Sequence, residues 1–266
     1  MERGWHALKL FSAAAQQLGV ERLWAFATSG VRSTENGVEF AERAENEAGV
    51  PLNVINGLQE AAFIYAGVRQ AVPTAREPVL VMDIGGGSTE FVVGSGNDVL
   101  WSLSLPLGVT RLREQFQPND PLSESDLTAL NAHLNQQLQP VFAAVEQYRP
   151  QQLIGSSGSF DTLYDLWALA NGRPALVPGQ TYAEWPAGAL EPLFEQLLRT
   201  TVAERLNLKG MVAMRADTLH LSPLQIAPIL QKLPPATPVG LSTFALKEGV
   251  WTTLLQNPTV WRASSW

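Results

Sequence analysis

The stretch from Val79 to Gly94 constrains the fold of this chain more than any other. The apolar run Val79-Leu80-Val81-Met82 meets an acid at Asp83. The chain then passes Ile84, Gly85, Gly86, Gly87, Ser88 and Thr89, meets a second acid at Glu90, and resumes as Phe91-Val92-Val93-Gly94. Apolar runs on either side of turn residues read as strand, glycine turn, strand. Glycine opens backbone conformations closed to other residues and lets the chain approach a ligand, and successive inward N–H groups form a nest for an anion. Ser88 and Thr89 add hydroxyl donors. Asp83 and Glu90 only accept hydrogen bonds when ionised, and they repel phosphate unless a hard cation lies between. The stretch points to metal-assisted phosphate chemistry. The alternative from these residues alone is a tight hairpin whose acids face water.

At 266 residues, 45% hydrophobic and 16% charged, the chain has the composition of a soluble globular protein with room for one large domain or two smaller ones. It has no cysteine, so disulfides, zinc-thiolate sites and thiol nucleophiles are excluded, and a reducing, cytoplasmic setting is expected. No apolar run approaches bilayer length, and Met1-Glu2-Arg3-Gly4-Trp5-His6 lacks a signal-peptide core, so no membrane partner is expected. A formal charge of -7 argues against a nucleic-acid partner, which would need a concentrated basic face. His6, His133 and His220 have no metal-ligand spacing and read as structural, and the eight tryptophans read as core packing.

Trp5, Leu8, Phe11, Ala15 and Leu18 recur at helical spacing before Gly19. Residues 22–27 read as a buried strand opening into the polar loop Thr28-Ser29-Gly30-Val31-Arg32, at the strand end where open α/β sheets place ligands. Asn36 with Glu39 marks a helix running to about Ala48, Leu52 to Asn56 a short strand, and Gly57 a helix with Glu60 in its first turn. Asp98 to Leu105 is a third strand, antiparallel to its neighbour because the connection is short. A helix carrying Arg111 and Arg113 follows. Ser123 with Asp126 starts a long helix that Pro140 should kink or divide. Leu153 to Phe160 reads as strand, small-residue loop and helix start, where Ser157, Gly158 and Ser159 could face an anion. Beyond a loop over 171–180, helices are expected near 186–199, 202–206 and 215–232, then a strand at 239–241 and a final helix from Ser242. Arg111, Arg215 and Lys247 read as surface or interdomain charges.

The ordered set Ala27-Thr28-Ser29-Gly30-Val31-Arg32, Asn56-Gly57-Leu58-Gln59-Glu60-Ala61, Asp83 through Glu90, Leu105-Pro106-Leu107-Gly108, Gly155-Ser156-Ser157-Gly158-Ser159 and Leu246-Lys247-Glu248-Gly249 resembles the exopolyphosphatase and guanosine pentaphosphate phosphohydrolase family. That family lies within the superfamily of sugar kinases, actin and heat-shock chaperones. The resemblance covers nearly the whole chain. It implies an α/β fold of two actin-like (ribonuclease H-like) domains with a central cleft, the first ending near residue 75 and the second covering 76–266. It also implies hydrolysis of terminal phosphoanhydrides of polyphosphate or guanosine pentaphosphate, with Mg2+ or another divalent cation, and a homodimer. Glu60 matches the general base, Arg32 the arginine of the first loop, and Asp83 and Glu90 the acids near metal and water. Phosphate binding falls to Gly85, Gly86, Gly87, Ser88 and Thr89, with Thr28, Ser29, Ser157, Gly158 and Ser159.

Three departures from the family pattern stand out. The family's opening strands, which carry a phosphate loop of the form Asp-x-Gly-Ser-Asn-Ser, have no counterpart here, so the first domain is expected to lack its first strands as in a truncated relative. The paired acids usual at the helix start are Gln59-Glu60, and the common Gly-Thr is Gly158-Ser159. A second reading is therefore a catalytically impaired binder of polyphosphate or guanosine polyphosphates. A third is phosphotransfer to a small acceptor, which lacks an adenosine signature. Taken alone, Glu60 also reads as a solvated helix-start acid and Arg32 as a cap on a loop carbonyl.

Overall fold

The structure is a computed structural model that describes residues 2–73, 77–257 and 259–265. By internal contacts the chain divides into unit 1, Met1–Glu60 with Trp251–Trp266, and unit 2, Ala61–Val250. The sequence-based boundary at 75/76 differs from this division, which cuts earlier and returns the C-terminal segment to unit 1.

Unit 1 begins with helix α1 (Glu2–Gln17), followed by strands β1 (Arg22–Leu23) and β2 (Ala25–Ala27), the single-turn helix α2 (Ser29–Arg32), helix α3 (Gly37–Ala48), strand β3 (Leu52–Val54) and the first turn of α4 (Gly57–Ala71). β2 and β3 pair in parallel, Ala25 opposite Leu52. Ala27, Ala44, Ala48, Val50 and Leu52 form a small core, and the hydroxyl of Ser12 donates to the Ala48 carbonyl to hold α1 there. α1 therefore buries Ser12 and Ala15, while Phe11 and Leu18, expected on its inner face, are exposed. The strand expected over 22–27 is broken at Trp24. Its two pieces have different partners: β1 pairs antiparallel with β10 (Ser264–Ser265), the returning end of the chain. The Asn53 side chain fastens this end, donating to Arg262 O at 2.8 Å and accepting from Arg262 N at 2.9 Å, and Phe26 meets Trp261 edge to face.

Unit 2 is built on one mixed sheet. Its strands are β4 (Val79–Ile84), β5 (Thr89–Ser95), β6 (Asp98–Leu105), β7 (Gln152–Ser156), β8 (Tyr182–Trp185) and β9 (Val239–Ser242). The spatial order is β6-β5-β4-β7-β9-β8; β4, β7 and β9 run parallel and the others antiparallel to their neighbours. Its helices are α5 (Val109–Phe116), α6 (Glu124–Gln137), α7 (Gln139–Tyr148), α8 (Ser157–Ala170), α9 (Leu190–Arg199), α10 (Val202–Leu206) and α11 (Ser222–Lys232), with residues 246–250 of α12 (Leu246–Gln256). β4 is buried at every position, as expected of a strand covered on both faces. Leu80, Met82 and Ile84 pack into the larger core with residues of α5 to α9 and α11. Val79 and Val81 pack with Ala61, Ile64, Tyr65 and Val68 of α4 on the opposite face. Asp83, two residues beyond Val81, lies on the α4 face.

Ser123 caps α6 through a capping box with Asp126, and Pro140 sits in the first turn of α7, so the expected long helix is two. β8 was not expected. It is a short edge strand between loop residues, and its alternation, Ala183 and Trp185 inward, is weak over four positions. The helix expected over 215–232 starts at Ser222, with Pro223 in its first turn and 3-10 turns at Ala213–Arg215 and Leu219–Leu221 before it. The helix expected from 186 starts at Leu190. Among the described residues, no helix is long and apolar enough to cross a membrane.

Candidate active site

The parallel strands β4, β7 and β9 end at Ile84, Ser156 and Ser242, so the segments that follow them lie along one edge of the sheet, where α/β sheets place ligands. Pairing register sets one polar rung there. Ser104, Glu90, Asp83, Ser156 and Ser242 are successive partners across β6, β5, β4, β7 and β9. Directly opposed residues share a face with their Cβ atoms roughly 5 Å apart. The Ser104 hydroxyl donates to Glu90 Oε1 at 2.7 Å, and the Ser156 hydroxyl to Asp83 Oδ2 at 2.6 Å. Both acids are buried. Burial pushes the Asp83 carboxyl above its ordinary range, against the opposing pull of Ser156, Ser157 and the Arg215 charge. The geometry brings Asp83 and Glu90 together as the sequence suggested.

The glycine turn is held from below and left open above. Gly85 N donates to Ser88 O at 3.0 Å, closing the turn. The first amides of α5 take the glycine carbonyls: Val109 N donates to Gly85 O, Thr110 N and Arg111 N to Gly86 O, and Arg111 Nε to Gly87 O at 2.8 Å. This contact requires Gly108, because a Cβ there would lie 2.3 Å from the Gly86 carbonyl. The amides of Gly86, Gly87 and Ser88 donate to no backbone carbonyl among the described residues, which leaves them for an anion. Arg111, read from sequence as a surface charge, instead braces the turn.

Thr89 corrects the expected ligand set. Strand alternation turns it to the face opposite Ser88 and Glu90, where it is fully buried and its hydroxyl donates to Gln225 Oε1 at 2.8 Å. Its side chain contributes to packing. The second loop is corrected in part: Ser157 and Ser159 hydroxyls both donate to the Ile84 carbonyl, at 3.2 and 3.1 Å, so they tie β4 to α8. What α8 offers an anion is its first-turn amides. Ser157 enters the helix at φ 69°, a left-handed conformation that a non-glycine residue holds only when its surroundings impose it. The Arg215 guanidinium lies against Gly158, so closely that a Cβ there would sit 1.7 Å from Nη2. Arg215 was missed as a site residue because it arrives from a 3-10 turn far along the chain. Asp161, one helical turn on, has one oxygen buried without a hydrogen-bond partner, and burial pushes it up to about 6.

The unit 1 residues form a separate set. Arg32 Nη1 donates to Glu60 Oε2 at 2.9 Å and to Ile55 O at 2.7 Å. Glu60 is 7% exposed. It is therefore an ion-paired acid and not a solvated helix-start residue. Asn56 and Gln59 close a reciprocal cap at the start of α4, each side-chain oxygen accepting the other's amide at 2.9 Å. Gln59, standing where the family has a second acid, fixes the helix start that presents Glu60. Thr28 precedes α2 and its carbonyl accepts from Val31 N and Arg32 N, while Ser29 is buried. Lys247 is highly exposed and pairs with Glu248 at 3.4 Å. Among the described residues no group of three or more His, Cys, Asp or Glu side chains is gathered that could hold a metal ion.

The model of the Ppx/GppA phosphatase family matches residues 1–257. Exopolyphosphatase 1 of Mycobacterium bovis is 30% identical over 241 residues, covering 90% of this chain and 69% of the relative. The crystal structure of an exopolyphosphatase from Cytophaga hutchinsonii superposes with a TM-score of 0.91 at 35% identity, covering 96% of this chain and 82% of that one. The Aquifex aeolicus member of the Ppx/GppA family superposes with a TM-score of 0.78 at 26% identity, covering 97% and 82%.

Proposed function

We propose that this chain, which belongs to the Ppx/GppA phosphatase family, hydrolyses the terminal phosphoanhydride bond of inorganic polyphosphate by attack of a water. Its actin-like α/β fold is that of the family. The observation that carries the reaction is the polar rung, which sets two buried carboxylates side by side at the sheet edge where the glycine turn and the α8 start also lie.

Each set of residues has one task. Glu60 accepts the proton of the attacking water, and Arg32 orients its carboxylate. The amides of Gly86, Gly87 and Ser88, the first amides of α8 and the Arg215 guanidinium hold phosphate oxygens and the charge that moves to the leaving chain. One such donor is typically worth about 3 kcal/mol of barrier, so the set outweighs any member. Asp83 and Glu90 would hold Mg2+. They fit it, being hard oxygen donors of the number Mg2+ usually takes from protein beside waters and substrate phosphates. When bound, the ion neutralises phosphate charge next to the two acids. It also offsets the burial that disfavours an ionised Asp83. Guanosine pentaphosphate presents the same terminal bond and is proposed as a second substrate.

Phosphate release from both substrates with Mg2+ tests the reading. Turnover should vanish in Glu60→Gln while the circular dichroism spectrum is unchanged. Unchanged turnover in that variant would remove Glu60 as the base. Tight binding of polyphosphate by the wild-type chain without hydrolysis would select the binding-protein reading.

A further inference from the structure

Asp161 is an acid of unit 2 that the proposed hydrolysis leaves without a task. It lies in α8, three residues after Gly158, and side chains three apart on a helix are neighbours on one face. A helical side chain also leans back over the turn before its own, which directs Asp161 towards the α8 start. The Arg215 guanidinium occupies the space over Gly158, where a Cβ would sit 1.7 Å from Nη2. Guanidinium and carboxyl therefore share one flank of the turn whose amides are offered to phosphate.

No partner holds this carboxyl. Asp161 Oδ1 is buried without a hydrogen-bond partner, and no cation among the described residues pairs with the side chain. The charged groups that act on it are engaged elsewhere. Arg215 lies against Gly158, and Lys247 pairs with Glu248 at 3.4 Å. Asp165 accepts from Leu176 N at 2.8 Å, and Asp83 from the Ser156 hydroxyl at 2.6 Å. Burial is the largest influence and pushes Asp161 up to about 6; Arg215 and Lys247 pull it down, while Asp165 and Asp83 add to the rise. An oxyanion arriving on the same flank adds a further like charge. A carboxylate without a counterion answers such a charge most cheaply by binding a proton, and the neutral carboxyl then offers an O–H as donor.

We propose that Asp161 takes up a proton when an oxyanion binds at the glycine turn and the α8 start, and gives it back when the anion leaves. The proton comes from solvent and returns to it, and no bond of the anion changes. Only the place of the anion rests on the function proposed above.

Titration calorimetry with inorganic sulfate, on the full chain without metal, tests this, because sulfate stays a dianion from pH 5 to pH 8 and brings no proton of its own. Titrations at pH 6.5 in buffers of different ionisation enthalpy count the protons exchanged. Wild type should take up about half a proton per sulfate, and its affinity should fall about fivefold from pH 5.5 to pH 7.5. Asp161→Asn should take up clearly less and bind sulfate several-fold more tightly than wild type at pH 7.5, with the difference gone at pH 5. A structural lesion would instead weaken binding at every pH. Arg215→Gln should weaken sulfate binding, which locates the anion. Equal proton uptake in Asp161→Asn and wild type overturns the role of Asp161 and leaves the phosphate site standing. A wild-type affinity that does not fall as pH rises does the same, whether or not the variant folds. No saturable binding, or binding indifferent to Arg215→Gln, removes the site and the role of Asp161 with it.

Discussion

Glu60 in unit 1 and Asp83 in unit 2 are both 7% exposed, yet they are held in opposite ways. Glu60 meets a guanidinium, Arg32, at 2.9 Å. Asp83 meets a hydroxyl, that of Ser156 at 2.6 Å, and feels Arg215 through its field. A guanidinium cancels a buried charge, whereas a hydroxyl only solvates it, and burial accordingly pushes Asp83 up. Two acids of one chemical class and equal burial thus have different surroundings. The first carries its own counterion, which suits the proton-accepting role proposed for it; the second is held by a hydroxyl, which suits the cation proposed there.

The contrast can be broken most sharply at Glu60. Glu60→Gln keeps the hydrogen bond but removes the base, and turnover should fall by about 10²–10⁴-fold. A fall smaller than tenfold in phosphate release would mean the two carboxylates are not divided in this way.

Asp83→Asn sharpens the other half. Turnover should fall on the order of a hundredfold and lose its dependence on Mg2+. Stability should move the opposite way. With its folded pKa raised above the unfolded value, Asp83 holds its proton more tightly in the folded state. The wild type therefore loses stability as pH rises from the ordinary carboxylate value through the folded one. Metal-free thermal melts should show Asp83→Asn more stable than the wild type at pH 8, with the difference gone in acid.

Gly158→Ala places a Cβ where the Arg215 guanidinium lies and should displace it. The expected result is about a tenfold rise in KM with little change in melting temperature, since one charge-assisted contact is worth roughly 1.5–3 kcal/mol. The smallest effect on activity is expected from Thr89→Val. It leaves Gln225 without its donor and should cost about 1–3 kcal/mol of stability, while turnover stays within about twofold of wild type. A large loss of turnover there would restore Thr89 to the phosphate site.

How much of this was legible in the sequence depended on whether the signal was local. The strand–glycine–strand element, the capping box of Ser123 and Asp126 and the division at Pro140 rest on neighbouring residues, and the structure has them as read. Glu60 stands in the first turn of α4 as read, but nothing local reveals its ion pair with Arg32. The polar rung depends on register between strands that are distant in sequence, so Ser104 and Ser156 carry no local mark. Thr89 could have been excluded by counting alternation from Glu90, because residues one apart on a strand face opposite ways. Arg215 and the small edge strand β8 needed tertiary structure, the one because a 3-10 turn delivers it, the other because four residues barely express a period.

The central claim, that the unit 2 acids are built for a cation while the unit 1 acid is not, is tested most directly by following phosphate release from polyphosphate against Mg2+ concentration. Wild type, Asp83→Asn and Arg32→Gln would be compared. Asp83→Asn should shift the Mg2+ concentration for half-maximal rate at least tenfold or abolish the response, while Arg32→Gln should lower the rate and leave that concentration unchanged. Equal Mg2+ dependence in Asp83→Asn and the wild type would contradict it.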